Sequence, residues 1–389
     1  MSNSGNSDVK ILVIGQPDSP HNVSFLRMIR EVYPNSYIHF FPSSPFEYNP
    51  GIKALSIQCY EHLNTNLKYV YSQAYWEDLT AKPLSIHSGE PKQLKDVISE
   101  YKPDFVHVNA MQDAGYLLSK ALELGLNKKF KLIYSIWGLD INTFMHNPLH
   151  AQEIRKFLSY VDLIVPESSR EINLAKNMGY QGKFCDIVEA TLVTYEQLHS
   201  RLPQKLPIKE NLILIKSAYQ ASRTSNGVFL KAIANCVSLG LLENWSILII
   251  CPSLEDYKNL NDINSLKKNI AINVFNSFIS HEIFQEKLSR AKYIANINIS
   301  DGVPNTFLES CAAMTYPILS TRASMEDWYN PEFSNLVQID PYDVIEATLS
   351  LHKLFSNYDQ WELSVNYNKI QIERYSEDRV KKTVRQFYQ

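Results

Sequence analysis

Short apolar runs alternate with segments of helical spacing along the first half of the chain. Val9 to Ile14 is an apolar run that ends at Gly15, which is typical of a strand buried in a parallel sheet. Asn22 to Val32 follows with apolar residues at helical spacing, which predicts a helix. Residues 42–90 break this pattern and are interpreted as an insertion with short elements. The pattern predicts further strands at 37–41, 105–108, 130–136 and 163–165, and helices at 93–101, 115–124, 151–160 and 169–178.

The alternation breaks at residues 202–207, where two prolines in six residues predict a linker, and then restarts. The second half predicts strands at 212–216, 246–251, 272–275, 293–297 and 317–319, and helices at 227–239, 260–269, 281–291, 343–355 and 358–375. Two runs of alternating strands and helices predict an α/β fold made of two Rossmann-like, doubly wound domains that face each other.

Composition agrees with two ordinary globular domains. The chain has 389 residues, 45% hydrophobic and 20% charged, with a net charge of -3, which argues against a nucleic-acid partner. The five cysteines are scattered without a Cys-x-x-Cys pair, so we expect reduced thiols and no zinc site. The polar N-terminus lacks the features of a signal peptide, and no apolar stretch approaches the ~20 residues that span a bilayer.

Residues 300–321 carry the strongest chemical signal. Asp301 and Glu309 lie eight positions apart, and Pro304 between them suits the first turn of a helix. A helix start collects backbone N–H groups and the positive end of the helix dipole, which favours a phosphate. Glu309 stands in an apolar setting where an unpaired carboxylate is costly. The segment therefore predicts a clamp for a nucleoside diphosphate, with an acid at each end.

Other candidates stand where predicted strands end. Lys216 closes an apolar strand, and the carboxyl end of such a strand is where open α/β sheets bind ligands. Arg223 follows in a polar loop. His21 lies in the loop after the first strand, and Trp137 follows another strand. His107 lies inside a predicted strand and is interpreted as a core residue, and His146, His150 and His281 are assigned no site role. Asp140 is a site candidate or, alternatively, the cap of the next helix.

The segment Ser300 to Glu309 resembles the Glu-x7-Glu region of retaining GT-B glycosyltransferases of the glycogen-synthase-like, family-4-like group, with Asp301 at the position of the first Glu. Five other segments are similar to this group in consistent order: 15–21, 102–109, 136–141, 274–282 and 291–297. The resemblance implies a GT-B fold, with two Rossmann-like domains around a central cleft. It places the acceptor domain at 1–203, the donor domain at 204–371, and a last helix, about 372–389, packing back on the first domain.

The resemblance also implies roles for the candidate residues. In the donor domain, Glu309 would bind the ribose hydroxyls, while Asp301, Lys216 and Arg223 would stabilise the charge that develops at the diphosphate. The remaining donor-side positions are the helix-start residues Gly302, Val303, Pro304, Asn305 and Thr306, together with Phe278 in the loop beside the base. Gly15, Trp137 and Asp140 would bind substrate on the acceptor side, and His21 would be a catalytic residue there. No metal or cofactor is expected, since the chain has no Asp-x-Asp and the nucleoside-diphosphate sugar is a substrate.

The function that follows is a retaining, metal-independent glycosyltransferase. It would move a sugar from a nucleoside-diphosphate sugar, such as a UDP-sugar, to a saccharide or glycolipid acceptor in surface polysaccharide or lipopolysaccharide synthesis. A cytoplasmic location is expected, and peripheral contact with the inner face of the plasma membrane stays open. Two alternatives also stay open: a non-catalytic glycan-binding or scaffold module, because Trp137 stands where many relatives carry His, and a nucleotide-sugar epimerase on the same fold.

Overall fold

The computed structural model describes residues 9–61, 90–217, 226–266, 270–277, 279–356 and 361–389. The chain divides into two compact units, one of Met1–Val193 with Asp378–Gln389 and one of Thr194–Glu377. Within the described residues each unit contains one parallel sheet, with helices between successive strands. The predicted α/β fold with two Rossmann-like units is therefore confirmed.

The first unit is built on a seven-stranded sheet in the order β3-β2-β1-β4-β5-β6-β7. Its central strand β1 is buried on both faces, which explains why its sequence is continuously apolar. The strands are β1 (Lys10–Gly15), β2 (Tyr37–Pro42), β3 (Gln58–Cys59), β4 (Phe105–Asn109), β5 (Lys131–Ser135), β6 (Leu163–Val165) and β7 (Lys183–Phe184). The helices between them are α1 (Pro20–Val32), α2 (Pro50–Lys53), α3 (Glu90–Tyr101), α4 (Tyr116–Glu123), α5 (Pro148–Leu158) and α6 (Ser169–Asn177).

The second unit is built on a six-stranded sheet in the order β10-β9-β8-β11-β12-β13. The strands are β8 (Glu210–Lys216), β9 (Trp245–Ile250), β10 (Ile270–Phe275), β11 (Ala291–Asn296), β12 (Tyr316–Ser320) and β13 (Val337–Ile339). The helices are α7 (Tyr195–Ser200), α8 (Asn226–Ser238), α9 (Leu254–Ser265), α10 (His281–Arg290), α11 (Asn305–Ala312), α12 (Val344–Ser356) and α13 (Trp361–Ile372). Because all the paired strands are parallel, their carboxyl ends meet at one edge of the sheet.

The last helix, α14 (Glu377–Val384), leads into residues that pack in the first unit. The hydroxyl of Tyr388 lies 2.9 Å from Nδ1 of His107, and the Tyr33 hydroxyl donates to the carbonyl of Arg385. Gln386 exchanges two hydrogen bonds with Asp186. These contacts tie the C-terminal residues to β4, α1 and the segment after β7.

Most predicted elements match within a few residues, and the differences have local causes. The helix predicted at 260–269 begins instead at Leu254, because Ser253 and Asp256 form a reciprocal capping box there. Pro304 was predicted in the first helical turn, but it is the N-cap residue, and α11 begins at Asn305. Outside the insertion at 42–90, three short elements, α7, β7 and β13, were not predicted. Each is too short to show a clear hydrophobic period.

His107 is a core residue, as its position inside a strand predicts. Its ring is fully buried, with Nδ1 at 2.9 Å from the Tyr388 hydroxyl and Nε2 at 2.8 Å from the Ser135 hydroxyl. Burial lowers its pKa to about 3, so the folded protein holds this imidazole neutral in mild acid.

The low pKa of His107 predicts a loss of stability in mild acid. The unfolded chain takes up a proton as the pH falls through 6.5, whereas the folded chain does not until about pH 3. Between pH 6.5 and pH 5 this difference lowers the free energy of unfolding by roughly 2 kcal/mol. Urea unfolding at both pH values should show a smaller decline in His107→Gln than in the wild type. An equal decline in the two proteins would contradict this assignment.

None of the helices within the described part of the chain is long and apolar enough to cross a membrane.

Candidate functional site

Lys216 and Thr306 meet at the carboxyl edge of the second sheet. Lys216 is the last residue of β8, and its Nζ donates a hydrogen bond of 2.8 Å to Oγ1 of Thr306 in the first turn of α11. The same ammonium lies 4.9 Å from the centre of the Phe284 ring, within cation–π distance. Pro304 at the N-cap position offers no side-chain oxygen, so α11 carries no side-chain N-cap bond. The Lys216 ammonium therefore lies beside the N-terminus of α11, and both groups attract an anion.

Glu309 lies one turn further along α11 and is 5% exposed. Its Oε1 is 3.3 Å from Nε2 of His281, while its Oε2 is buried and has no hydrogen-bond partner among the described residues. A buried carboxylate oxygen without a donor costs ~1–3 kcal/mol or more, so such a group needs an explanation. A hydroxyl donor on a bound ligand would supply it.

His281 was not assigned a role from the sequence, yet it begins α10 directly beside Glu309. Gln285 lies four residues later on the same helix, and its amide nitrogen is 3.2 Å from Nε2 of His281. Burial lowers the pKa of His281, Glu309 acts in the opposite direction, and the charges of Arg201 and Lys216 lower it further. The lowered pKa favours the neutral imidazole, which does not neutralise the Glu309 carboxylate. In the sequence, the one indication was that His281 and Gln285 are four positions apart, which places them on the same face of a helix.

The side chain of Asp301 accepts hydrogen bonds from residues of its own turn. Its Oδ1 accepts from the backbone N–H of Gly302 at 3.0 Å, and its Oδ2 accepts from the side chain of Asn298. The backbone of this turn is also pinned, because Ser324 donates to the Gly302 carbonyl and Asp301 donates to the Arg322 carbonyl. Gly302, Val303 and Pro304 are buried, whereas Asn305 is half-buried. The turn that leads into α11 is therefore held rigidly, with Asp301 half-exposed beside it.

In the first unit, Gly15 ends β1 at the carboxyl edge of its sheet. A Cβ atom at this position would lie 2.9 Å from Nδ2 of Asn22, which explains the glycine. Asn22 in turn donates to the Gln16 carbonyl and accepts from Asn109 at the end of β4. This network fixes the loop between β1 and α1. His21 was predicted in that loop but lies in the first turn of α1, because Ser19 caps the helix and Pro20 begins it. His21 is exposed, and its ring stands edge-on to Trp137 with a centroid distance of 5.8 Å.

The side chain of Asp140 stabilises the carboxyl edge of the first sheet by accepting three hydrogen bonds. It is buried, and its Oδ2 accepts from the Tyr134 hydroxyl and from the backbone N–H groups of Met111 and Trp137. Burial raises its pKa to about 7, against the lowering effect of these donors. The suggestion that Asp140 caps the next helix is wrong, because Asn147 caps α5. Asp140 instead fixes the position of Trp137.

The predicted site residues thus form two groups. In the second unit, Lys216, Thr306 and Glu309 come together with His281 and Phe284, and we call these five the second-unit site. In the first unit, Gly15, His21, Trp137 and Asp140 share the carboxyl edge of the first sheet. Arg223 and Phe278 lie outside the described residues. Over the described ranges, no group of three or more His, Cys, Asp or Glu side chains could hold a metal ion.

Two parallel doubly wound units of this kind define the GT-B fold of glycosyltransferases. A family model described as "Glycosyl transferase 4-like" matches residues 72–168. The resemblance to GT-B glycosyltransferases of the glycogen-synthase-like group is confirmed by this match and by the fold. No curated protein matches the chain in sequence.

Solved structures match nearly the whole chain. Sucrose-phosphate synthase from Thermosynechococcus elongatus is 13% identical over 98% of both chains, with a TM-score of 0.65. Anabaena HepE in complex with UDP is 12% identical over 97% of this chain and 99% of its own, with a TM-score of 0.65. Trehalose 6-phosphate synthase from Burkholderia multivorans is 10% identical over 98% and 96%, with a TM-score of 0.68. At these identities the likeness establishes the fold.

Proposed function

We propose that the chain is a retaining glycosyltransferase whose donor is a nucleoside-diphosphate sugar. The observation that carries this proposal is the buried Oε2 of Glu309, which has no hydrogen-bond partner among the described residues and lies one turn along the helix whose first turn contacts the Lys216 ammonium. Ribose hydroxyls are donors that would satisfy the carboxylate, and a diphosphate is the anion that suits Lys216 and the helix start. HepE, which shares the fold, was solved with UDP bound.

In the proposed reaction, the acceptor displaces the diphosphate from the anomeric carbon of the donor sugar. The acceptor oxygen forms a bond to the anomeric carbon on the face from which the diphosphate departs, while the bond between that carbon and the phosphate oxygen breaks. The acceptor proton passes to the departing phosphate oxygen. Lys216 and the N-terminus of α11 stabilise the charge gained by the leaving group, and Arg223 is the second cation that the sequence suggests. No metal or other cofactor takes part in this proposal.

We assign the acceptor to the first unit. Trp137 offers an aromatic surface of the kind on which sugar rings stack, and His21 beside it is exposed. Asp140 fixes the backbone of Trp137 and so positions this surface. A saccharide or glycolipid hydroxyl is the acceptor that we propose, in surface polysaccharide or lipopolysaccharide synthesis.

Incubation with UDP-glucose, UDP-galactose, UDP-N-acetylglucosamine and GDP-mannose tests the proposal. We expect at least one donor to release free nucleotide and to give a glycoside with the anomeric configuration of the donor, detected by chromatography and NMR. Glu309→Gln should weaken donor binding by roughly 10- to 100-fold, since hydrogen bonds to a charged group contribute ~1.5–3 kcal/mol each. A donor that binds without turnover, even with saccharide acceptors present, would point instead to a non-catalytic module.

A further inference from the structure

A cavity of about 250 Å³ lies in the second unit, away from Lys216 and Glu309. Its walls come from β11, β12, β13, α12 and α13, and we call it the aromatic cavity. Tyr293, Tyr316, Tyr329, Ser350, Lys353 and Trp361 are among the residues that line it. Tyr316 and Val337 are the first residues of β12 and β13, so the aromatic cavity lies at the amino edge of the sheet. The second-unit site lies at the opposite, carboxyl edge.

The aromatic wall of the cavity is held in place by packing. The Tyr293 ring is 1% exposed, stacks on Trp245 at 5.4 Å and meets Tyr316 edge-on at 5.6 Å. The indole N–H of Trp361 donates to the carbonyl of Lys292 at 3.2 Å, which fixes that ring as well. The cavity is therefore preformed, so binding of a ligand would require little ordering of its side chains.

The polar lining offers both acceptors and donors. The hydroxyl protons of Tyr316 and Ser350 are already donated within the protein, at 2.6 Å to the Ser334 carbonyl and at 2.7 Å to Glu346. These two oxygens can therefore only accept from a ligand. Tyr293 and Lys353 have no hydrogen-bond partner within the described part of the chain, so they remain as donors. The accessible rings of Trp361 and Tyr329 can meet the apolar face of a sugar ring, and the donors and acceptors match its hydroxyl groups.

We propose that the aromatic cavity binds a single pyranose residue of a saccharide. Small-molecule pockets usually measure ~300–1,000 Å³, so this volume suits one sugar ring and is too small for a nucleotide sugar. The ring bound here is therefore not the donor. The cavity can hold a sugar whether or not the second-unit site carries out transfer.

Binding of the methyl glycosides of glucose, galactose, mannose and N-acetylglucosamine to the full chain tests this inference by saturation-transfer NMR. We expect at least one glycoside to bind saturably and to keep its affinity in the presence of excess UDP. Ser350→Leu, which fills the cavity, should weaken binding at least ten-fold. Ser265→Leu, on an exposed helix position of the same unit, is the matched control and should bind like the wild type. Tyr329→Ala should weaken binding about three-fold without affecting the fold, since Tyr329 is 47% exposed.

Three results would overturn the inference: no binding of any of the four glycosides to the wild type, competition of the bound glycoside by UDP, or unchanged affinity in both Ser350→Leu and Tyr329→Ala. The thermal midpoint of each variant, measured alongside, shows that it is folded. Because UDP tests the second-unit site separately, failure here would leave the proposed transferase function untouched.

Discussion

A variant truncated after Glu377 is expected to have an unfolded first unit. The deletion removes Val380, Val384 and Phe387, each at most 1% exposed, together with Tyr388, which contacts His107. Burial of three such apolar side chains contributes roughly 5–9 kcal/mol, which is comparable to the whole stability of a typical domain, about 5–15 kcal/mol. The truncated chain should be insoluble or should be cut rapidly within residues 9–193 by a protease at low concentration.

Two milder changes serve as controls for the deletion. Removal of Gln389 alone takes away the exposed hydrogen bond that Lys131 donates to its carbonyl, so that chain should stay folded. Tyr388→Phe removes one hydrogen bond from buried His107 and should lower stability by ~1–3 kcal/mol. If the chain ending at Glu377 were soluble, with a wild-type thermal midpoint and wild-type protease resistance, the C-terminal packing would not have this role.

Lys216→Met is expected to reduce kcat/KM for sugar transfer by 10²- to 10³-fold. Loss of one preorganised group that stabilises developing negative charge has an effect of about this size. The fold should survive, because the side chain is only half-buried and its hydrogen bond to Thr306 contributes ~1.5–3 kcal/mol, less than the stability of a typical domain. Steady-state transfer rates with the donor found in the nucleotide-sugar panel provide the measurement.

The matched control for Lys216 is Lys369→Met, which removes the same charge from an exposed position on α13. Its transfer rate should equal that of the wild type. If Lys216→Met and Lys369→Met were equally active, charge neutralisation at the second-unit site would have to come from other groups, and the role proposed for Lys216 would fail.

The fold could be predicted because buried parallel strands are continuous apolar runs. β1 and β8 show such runs clearly in the sequence, and the helices between strands keep a helical period. β13 has only three residues, two of them half-buried, so its sequence resembles a loop. The start of α9 was misplaced because its signal is a polar capping box, Ser253 with Asp256, rather than an apolar period.

The site could be predicted where its residues share one stretch of chain or, as for Lys216, end a parallel strand at the edge that binds ligands. Asp301 lies in the turn before α11 and Glu309 lies on α11, so their placement followed from the sequence. The contact of His281 with Glu309 spans 28 positions and has no local pattern, which is why it was missed. Asp140 was assigned to ligand binding, or to a helix cap, because its three donors, spread between Met111 and Trp137, are visible only in the folded chain.

The central claim is that Glu309 holds a nucleotide at the second-unit site, and a thermal-shift titration tests it most directly. UDP, GDP and ADP are added to the wild type and to Glu309→Gln. For the wild type, one nucleotide at 100 times its Kd should contribute about 2.7 kcal/mol and raise the midpoint by roughly 5–10 °C. Glu309→Gln should keep or raise the midpoint without ligand, since it removes a buried charge, and should lose most of the shift at the same nucleotide concentration. No shift of the wild type by any of the three nucleotides, or an equal shift in both proteins, would contradict the claim.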